Sequence, residues 1–169
     1  MSVTTKTGDK GQTRLFTGQS IAKDDLRVET YGTIDQLTAT IGMARAFTQN
    51  ARVKELLFQL QKQLGILMAD FASRGQEPMI TEEMLQSIEA EITNIEGSLP
   101  PLTKFLVPGE TKAEAFLDFA RTTARMAERR AWSLSRRGTV EGIDLRYLNR
   151  ISDYLFILMR LENEDIPRR

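Results

Sequence analysis

Apolar side chains recur through most of this chain at steps of three and four residues, the spacing that gathers them on one face of a helix. Val28, Tyr31, Ile34, Leu37 and Ile41 form the first such stripe and predict a helix over about 26–48. Asn50 is placed to cap a second helix, in which Val53, Leu56, Leu57, Leu60, Leu64, Leu67, Met68 and Phe71 carry the pattern to about Arg74, before Gly75 and Pro78 stop it. Thr81 with Glu82 and Glu83 opens a third, carrying Met84, Leu85, Ile88, Ile92 and Ile95 up to Gly97, with acidic residues where the helix dipole favours them. Pro100 and Pro101 end it and begin a loop through Phe105, Leu106, Val107, Pro108 and Gly109. A fourth helix is predicted from about Thr111 to Arg137, broken by Gly138, and a fifth from about Asp144 to Glu162. Long amphipathic helices with short polar connections pack as antiparallel neighbours. The expected fold is therefore all-α, an up-and-down five-helix bundle over 26–163, in a single domain spanning 1–169 with an extended N-terminal segment.

Residues 1–25 break the helical pattern. Thr4 to Thr13 hold hydroxyls, two lysines and two glycines, with no large apolar side chain. Glycines let the backbone turn its N–H groups toward a ligand, threonines add hydroxyl donors, and Lys6 and Lys10 add charge, a set suited to a polyphosphate. The Walker A pattern is absent, and composition alone leaves a phosphate cradle and an unstructured N-terminus equally open. Leu15 to Gly18 reads as a short extended piece ending in a turn.

Composition narrows the chemistry. The 169 residues are 41% hydrophobic and 27% charged, with 23 basic and 23 acidic side chains, so no overall field recruits nucleic acid or an anionic membrane and any cationic site is local. Neither Cys nor His occurs, which removes thiol nucleophiles, disulfides, histidine acid–base catalysis and the usual zinc sites. A metal would have only oxygen ligands, which points to Mg²⁺. The first twenty residues are polar and the longest strongly apolar run, Tyr154 to Met159, is too short to span a bilayer, so the expected location is cytoplasmic.

The fourth helix separates its faces. Ala113, Phe116, Ala120, Ala124, Ala127 and Ala131 form a stripe of mostly small residues suited to close helix packing. Asp118, Arg121, Arg125, Glu128, Arg129 and Trp132 gather on another face. Such a face is either a solvated set of salt bridges or a grip on a triphosphate or a neighbouring subunit's carboxylate, since guanidinium is always charged and binds in bidentate fashion. On the fifth helix Leu148, Ile151, Leu155 and Leu158 face the core, leaving Asn149, Arg150 and Asp153 on the other side. Asn149 is unfavourable in mid-helix, which suggests a polar contact, whereas the Tyr and Phe residues there read as core.

Five segments together carry a resemblance. Thr5 to Thr13 (TKTGDKGQT), Tyr31 to Leu37 (YGTIDQL), Phe105 to Gly109 (FLVPG), Ala120 to Arg130 (ARTTARMAERR) and Tyr147 to Tyr154 (YLNRISDY) resemble, in order and spacing, the PduO-type ATP:corrinoid adenosyltransferases over nearly the whole chain. That family is a helical bundle that transfers the 5′-deoxyadenosyl group of ATP to the cobalt of reduced cobalamin, releasing triphosphate. Its active sites lie between the subunits of a homotrimer. The resemblance implies that Thr5, Lys6, Thr7, Gly8, Thr13, Arg14 and Lys23 bind ATP from the N-terminal side, and Arg121, Arg125 and Asn149 from the helical side. It implies that Glu128 orients arginines or Mg²⁺, and that Mg²⁺ rides on the phosphates without a direct protein ligand. Asp35 looks like the aspartate that pairs across the subunit interface with Arg121, so that Asp35, Arg121 and Arg125 form the catalytic set, and Phe105 looks like the aromatic that packs on the corrin and keeps a lower ligand off cobalt. A cobalt reductase and a B12-dependent enzyme are the implied protein partners.

Four positions depart from the family pattern: Gln36 for Glu, Thr38 for Asn or Ser, Glu110 for a glycine, and Asp118 for a histidine. A carboxylate beside a polyphosphate weakens binding unless it is spent on an arginine or Mg²⁺. An active transferase is the favoured reading, and a non-catalytic paralogue that carries corrinoid or senses ATP is the alternative. A third, a helical interaction protein, would use the arginine face for assembly alone.

Overall fold

A computed structural model describes residues 4, 6–138 and 140–164. Among them the chain forms a short antiparallel hairpin, β1 (Gln12–Arg14) and β2 (Ser20–Ala22), followed by α1 (Leu26–Phe47), α2 (Ala51–Phe71), α3 (Glu82–Ser98), α4 (Lys112–Ser135) and α5 (Gly142–Glu162). Four helices begin on a side-chain cap. Asp25 accepts from the N–H of Arg27, Asn50 from Arg52 and Val53, Thr81 from Met84, and Thr111 from Glu114. Each such cap is worth about 1 kcal/mol, which is why the starts fall close to where the sequence put them. α5 has no side-chain cap bond and starts at Gly142, two residues before the expected Asp144.

α1 packs on α2 and α4, α4 on α5, and α5 on α2, closing a four-helix ring, while α3 lies outside it against α5. The α4 stripe makes the closest seam possible: Ala120, Ala124, Ala127 and Ala131 are fully buried, facing a core that includes Ile34, Leu37 and Ile41 of α1 and Leu148, Ile151, Leu155 and Leu158 of α5. Burying each of these Leu and Ile side chains contributes about 1.5–3 kcal/mol. Tyr147 is also fully buried and donates its hydroxyl to Gln63 Oε1 at 2.6 Å, so its one polar atom is satisfied inside the core.

The N-terminal piece is a hairpin and no tail from Gln12 onward. Gln12 pairs with Ala22, Thr13 with Ile21 and Arg14 with Ser20. Leu15 to Gly18, expected as a short extended piece ending in a turn, does end in one, but its extended part stops at Arg14 and the four residues lie in the connection between the strands: Leu15 N–H reaches Gln19 O, Gly18 N–H reaches Leu15 O, and Gly18 has φ +91°, which glycine adopts without strain. Two buried side chains, Leu15 and Ile21, seat the hairpin on the bundle. Its turn is tied to the end of α2 by Phe16 N–H on Ala72 O at 2.8 Å and by Arg74 N–H on the Thr17 hydroxyl at 3.2 Å. The same α2 end is held from below by the buried Arg27 guanidinium, which donates to the carbonyls of Phe71 and Ser73.

Candidate active site

Two grooves collect seven of the site residues singled out from sequence. The first, about 530 Å³, is lined by Thr7, Gly8, Gln12, Thr13, Arg14, Ser20 and Lys23. It brings together five of the seven residues expected to meet the nucleotide from the N-terminal side. Tight turns build it: Gly11 N–H donates to Gly8 O at 3.2 Å, and Lys23 N–H donates to Gly11 O at 2.9 Å, drawing the end of the hairpin back to its start. A methyl group added at Gly8 would stand 2.9 Å from Lys23 Nζ, so only glycine there lets the ammonium lie against the backbone. Lys6 stands outside the lining with φ +57°, a left-handed conformation that costs a non-glycine residue about 1 kcal/mol or more and marks a constrained turn. Thr5 lies outside the described residues.

The second groove, about 420 Å³, is lined by Ile92, Glu96, Arg121, Arg125, Ser152, Asp153, Phe156 and Ile157, from α3, α4 and α5. Asn149 stands one turn back along α5. Its amide donates to Glu128 Oε1 at 2.8 Å and its oxygen accepts from Arg150 Nη1 at 2.8 Å; Arg150 in turn donates to Glu89 at 2.7 Å. Glu128 thus orients Asn149, and the mid-helix asparagine has the polar contacts its position suggested. Asp118 is engaged with an arginine: its Oδ1 accepts from both Nε and Nη2 of Arg121 at 2.8 Å. Arg125 and Asp35 are exposed, Asp35 on α1 with no ion pair among the described residues.

The loop between α3 and α4 carries the third expected element. Phe105 is 89% exposed, Val107 76% and Leu102 49%, three apolar side chains that the chain itself does not cover. Glu110 is exposed. Sequence reasoning did not single out two residues here. Phe156, read as core, packs against the core and also lines the arginine groove; its signal is that 149, 153 and 156 share a helix face. Glu114, fully buried, accepts from the N–H groups of Gly109 at 3.2 Å and Glu110 at 2.9 Å, and the spacing Thr111-x-x-Glu114 is the signal that finds it. Among the described residues no group of three or more carboxylates could hold a metal, and no helix is long and apolar enough to cross a membrane.

A hairpin groove with Arg14 and Lys23 in its lining, an arginine groove among the helices and an exposed aromatic loop define a helical-bundle protein with two cationic grooves. The chain belongs to the cobalamin adenosyltransferase family, whose model matches residues 3–162. It is 41% identical over 170 residues to the corrinoid adenosyltransferase PduO of Citrobacter freundii, an alignment that takes in 98% of this chain, and it spans about half (51%) of that relative's length. A corrinoid adenosyltransferase of Bacillus subtilis strain 168 is 40% identical over 96% of this chain and 87% of its own. Among solved structures, a variant PduO-type ATP:corrinoid adenosyltransferase from Lactobacillus reuteri complexed with cobalamin and ATP superposes with TM-score 0.90 at 31% identity, covering 96% of this chain and 93% of that one.

Proposed function

We propose that the protein is a cytoplasmic, homotrimeric ATP:corrinoid adenosyltransferase that moves the 5′-deoxyadenosyl group of ATP onto the cobalt of reduced cobalamin and releases triphosphate. The observation that carries this reading is the grouping of Thr7, Gly8, Thr13, Arg14 and Lys23 around one groove in a chain of this family. Lys6 belongs to the turn that leads into the groove, and Thr5 to the segment before it.

Reduced cobalt is itself a strong nucleophile, so the protein needs no base; it has to align cobalt with C5′ of ATP and neutralise the charge that grows on the departing triphosphate. Lys23, Arg14 and the backbone at Gly8 would meet the phosphates from the hairpin, Arg121, Arg125 and Asn149 from the helices, and Glu128 keeps Asn149 in register. Mg²⁺ would be carried on the phosphate oxygens and add charge neutralisation there. Phe105 would lie on the corrin ring and exclude a lower axial ligand, and its exposure leaves it free to do so.

The two grooves share no lining residue. A site that uses both sets is therefore best completed between subunits, with Asp35 of one subunit supporting Arg121 of the next. A cobalt reductase and a B12-dependent enzyme would supply reduced cobalt and receive the product.

The test is an anaerobic absorbance assay of cob(I)alamin with ATP and Mg²⁺ beside an Arg121→Ala control. Adenosylcobalamin formation in the parent that collapses in the control supports the transferase. The engagement of Arg121 by Asp118 favours one second reading, a paralogue that binds without turnover. Bound ATP with no product, and a rate restored by Asp118→His, would establish that carrier or sensor instead.

A further inference from the structure

Resting on the transferase reading above, we propose that Glu114 is a positioning residue for the corrinoid: its buried carboxylate fixes the end of the Phe105 loop and so sets where that aromatic meets the ring. Residues 100–110 contain no helix or strand. Their anchors are few. At the start Leu99 is buried and the Arg160 guanidinium donates to Pro100 O; in the middle Leu106 packs partly against the core. At the end the hold is Glu114, whose Oε2 receives Gly109 N–H and Glu110 N–H.

An N-terminal Glu three residues after a Thr cap commonly folds back over the first turn. Here the Thr111 hydroxyl caps Glu114 N–H at 3.0 Å, while the Glu114 carboxylate reaches past the cap to the two residues before it. Its charge sits at the positive end of α4, and the bonds it accepts are charge-assisted. Gly109 has φ +122°, a backbone conformation that favours glycine, at a residue the carboxylate holds, four positions from Phe105. Glu114 is 0% exposed and Phe105 89% exposed; the first touches no solvent and the second is the part offered to a ligand. A carboxylate so placed acts on corrinoid through Phe105, and it lines neither of the two grooves that would meet the nucleotide.

The test compares Glu114→Ala and Glu114→Gln with the parent. Alanine removes the acceptor, and the freed N–H groups, on exposed residues, turn to water; glutamine keeps one acceptor oxygen of the same reach. We expect Glu114→Ala to raise KM for cob(I)alamin about tenfold while KM for ATP changes less than about twofold, and Glu114→Gln to recover most of the loss. Without any ligand, trypsin should cut after the exposed Lys104 several-fold faster in Glu114→Ala than in the parent or Glu114→Gln. Unchanged KM values with unchanged cleavage would overturn the proposal, as would equal losses for both substrates with a lowered melting temperature. If the parent itself makes no product, the transferase reading fails, and the cleavage comparison still decides whether Glu114 restrains the loop.

Discussion

Asp118 holds Arg121 by two donors on one oxygen, with both side chains partly exposed. Two consequences of that pairing oppose each other where a triphosphate is to bind. The carboxylate fixes the guanidinium, which lowers the ordering cost, yet it also places a negative charge one turn from where phosphate charge would collect. An exposed ion pair of this kind is worth about 1 kcal/mol or less, while charge repulsion at a few ångströms exceeds that, so repulsion wins. Asp118→Asn should tighten ATP binding by a few-fold in calorimetry, and Arg121→Ala should weaken it more than tenfold; a looser Asp118→Asn would mean that orientation outweighs charge. Asp144 poses a different problem. It is buried in the first turn of α5, and desolvation, followed by the charge and hydrogen bond of Asp70 and the charge of Glu141, pushes its carboxyl up to about 8. Asp70 is held in place beside it, because its carboxylate accepts from the N–H groups of Met79 and Ile80. The folded pKa lies above the ordinary 3.8, so over that window the folded protein keeps a proton the unfolded chain has lost, and stability falls as pH rises from about 4 to 8. Asp144→Asn stays neutral and keeps a donor for Asp70. Its melting temperature should match the parent near pH 4 and gain steadily up to pH 8, at no more than about 1.4 kcal/mol per unit. Parallel curves across that range would show that Asp144 does not hold the proton.

The hairpin and the helices differ in how far sequence reveals them. Helices α1 to α4 were legible because each combines an apolar period with a side-chain cap, and both signals are local; α5 had only the first, and its start moved by two residues. The hairpin was hidden, since its strands are three residues each and only Leu15 and Ile21 are buried, too little to show a period of two. The composition of Thr4 to Thr13 pointed to a polyphosphate by itself, Arg14 and Lys23 were legible only through family resemblance, and their meeting depends on bonds such as Lys23 N–H to Gly11 O that no spacing announces. Glu114 and Phe156 escaped because one looks like a helix-surface glutamate and the other like core. The hairpin also gives a clean separation of site from scaffold. Gly8→Ala would press on Lys23 Nζ, the mobile end of a long side chain, and leave the bundle untouched. It should weaken ATP binding several-fold with the melting temperature within a degree or so, since surface changes of this kind stay within about 0.5 kcal/mol. Ala124→Leu makes the opposite case, because Ala124 is fully buried in the stripe by which α4 packs into the bundle. Overpacking there should cost about 1–3 kcal/mol and lower the melting temperature whether or not ATP is present.

At the scale of the whole molecule the separation of the two grooves is the fact that assembly has to answer. The first groove is lined by the hairpin and the segments at its base, and the arginine groove lies among α3, α4 and α5. Asp35 is exposed on α1 and without an ion pair among the described residues, and Arg121 keeps donors beyond the two that Asp118 occupies. A closed ring of three subunits would let each hairpin serve its neighbour's arginine face, a heterologous contact that repeats until it closes. Two crippled variants separate this arrangement from a site contained in one chain. Lys23→Ala damages only the hairpin side, and Arg125→Ala only the helical side, so each alone should have little activity. Mixed in equal amounts after dissociation and reassembly, they should regain about a quarter of the parental sites if a hairpin and an arginine face come from different subunits, because random assembly joins two intact halves that often. If both halves come from the same chain, every site carries one lesion and mixing restores nothing. Co-refolding at a series of ratios, with turnover as the readout, should therefore give a rate that peaks at the equal mixture, and a flat line at the background rate would return the whole site to a single subunit.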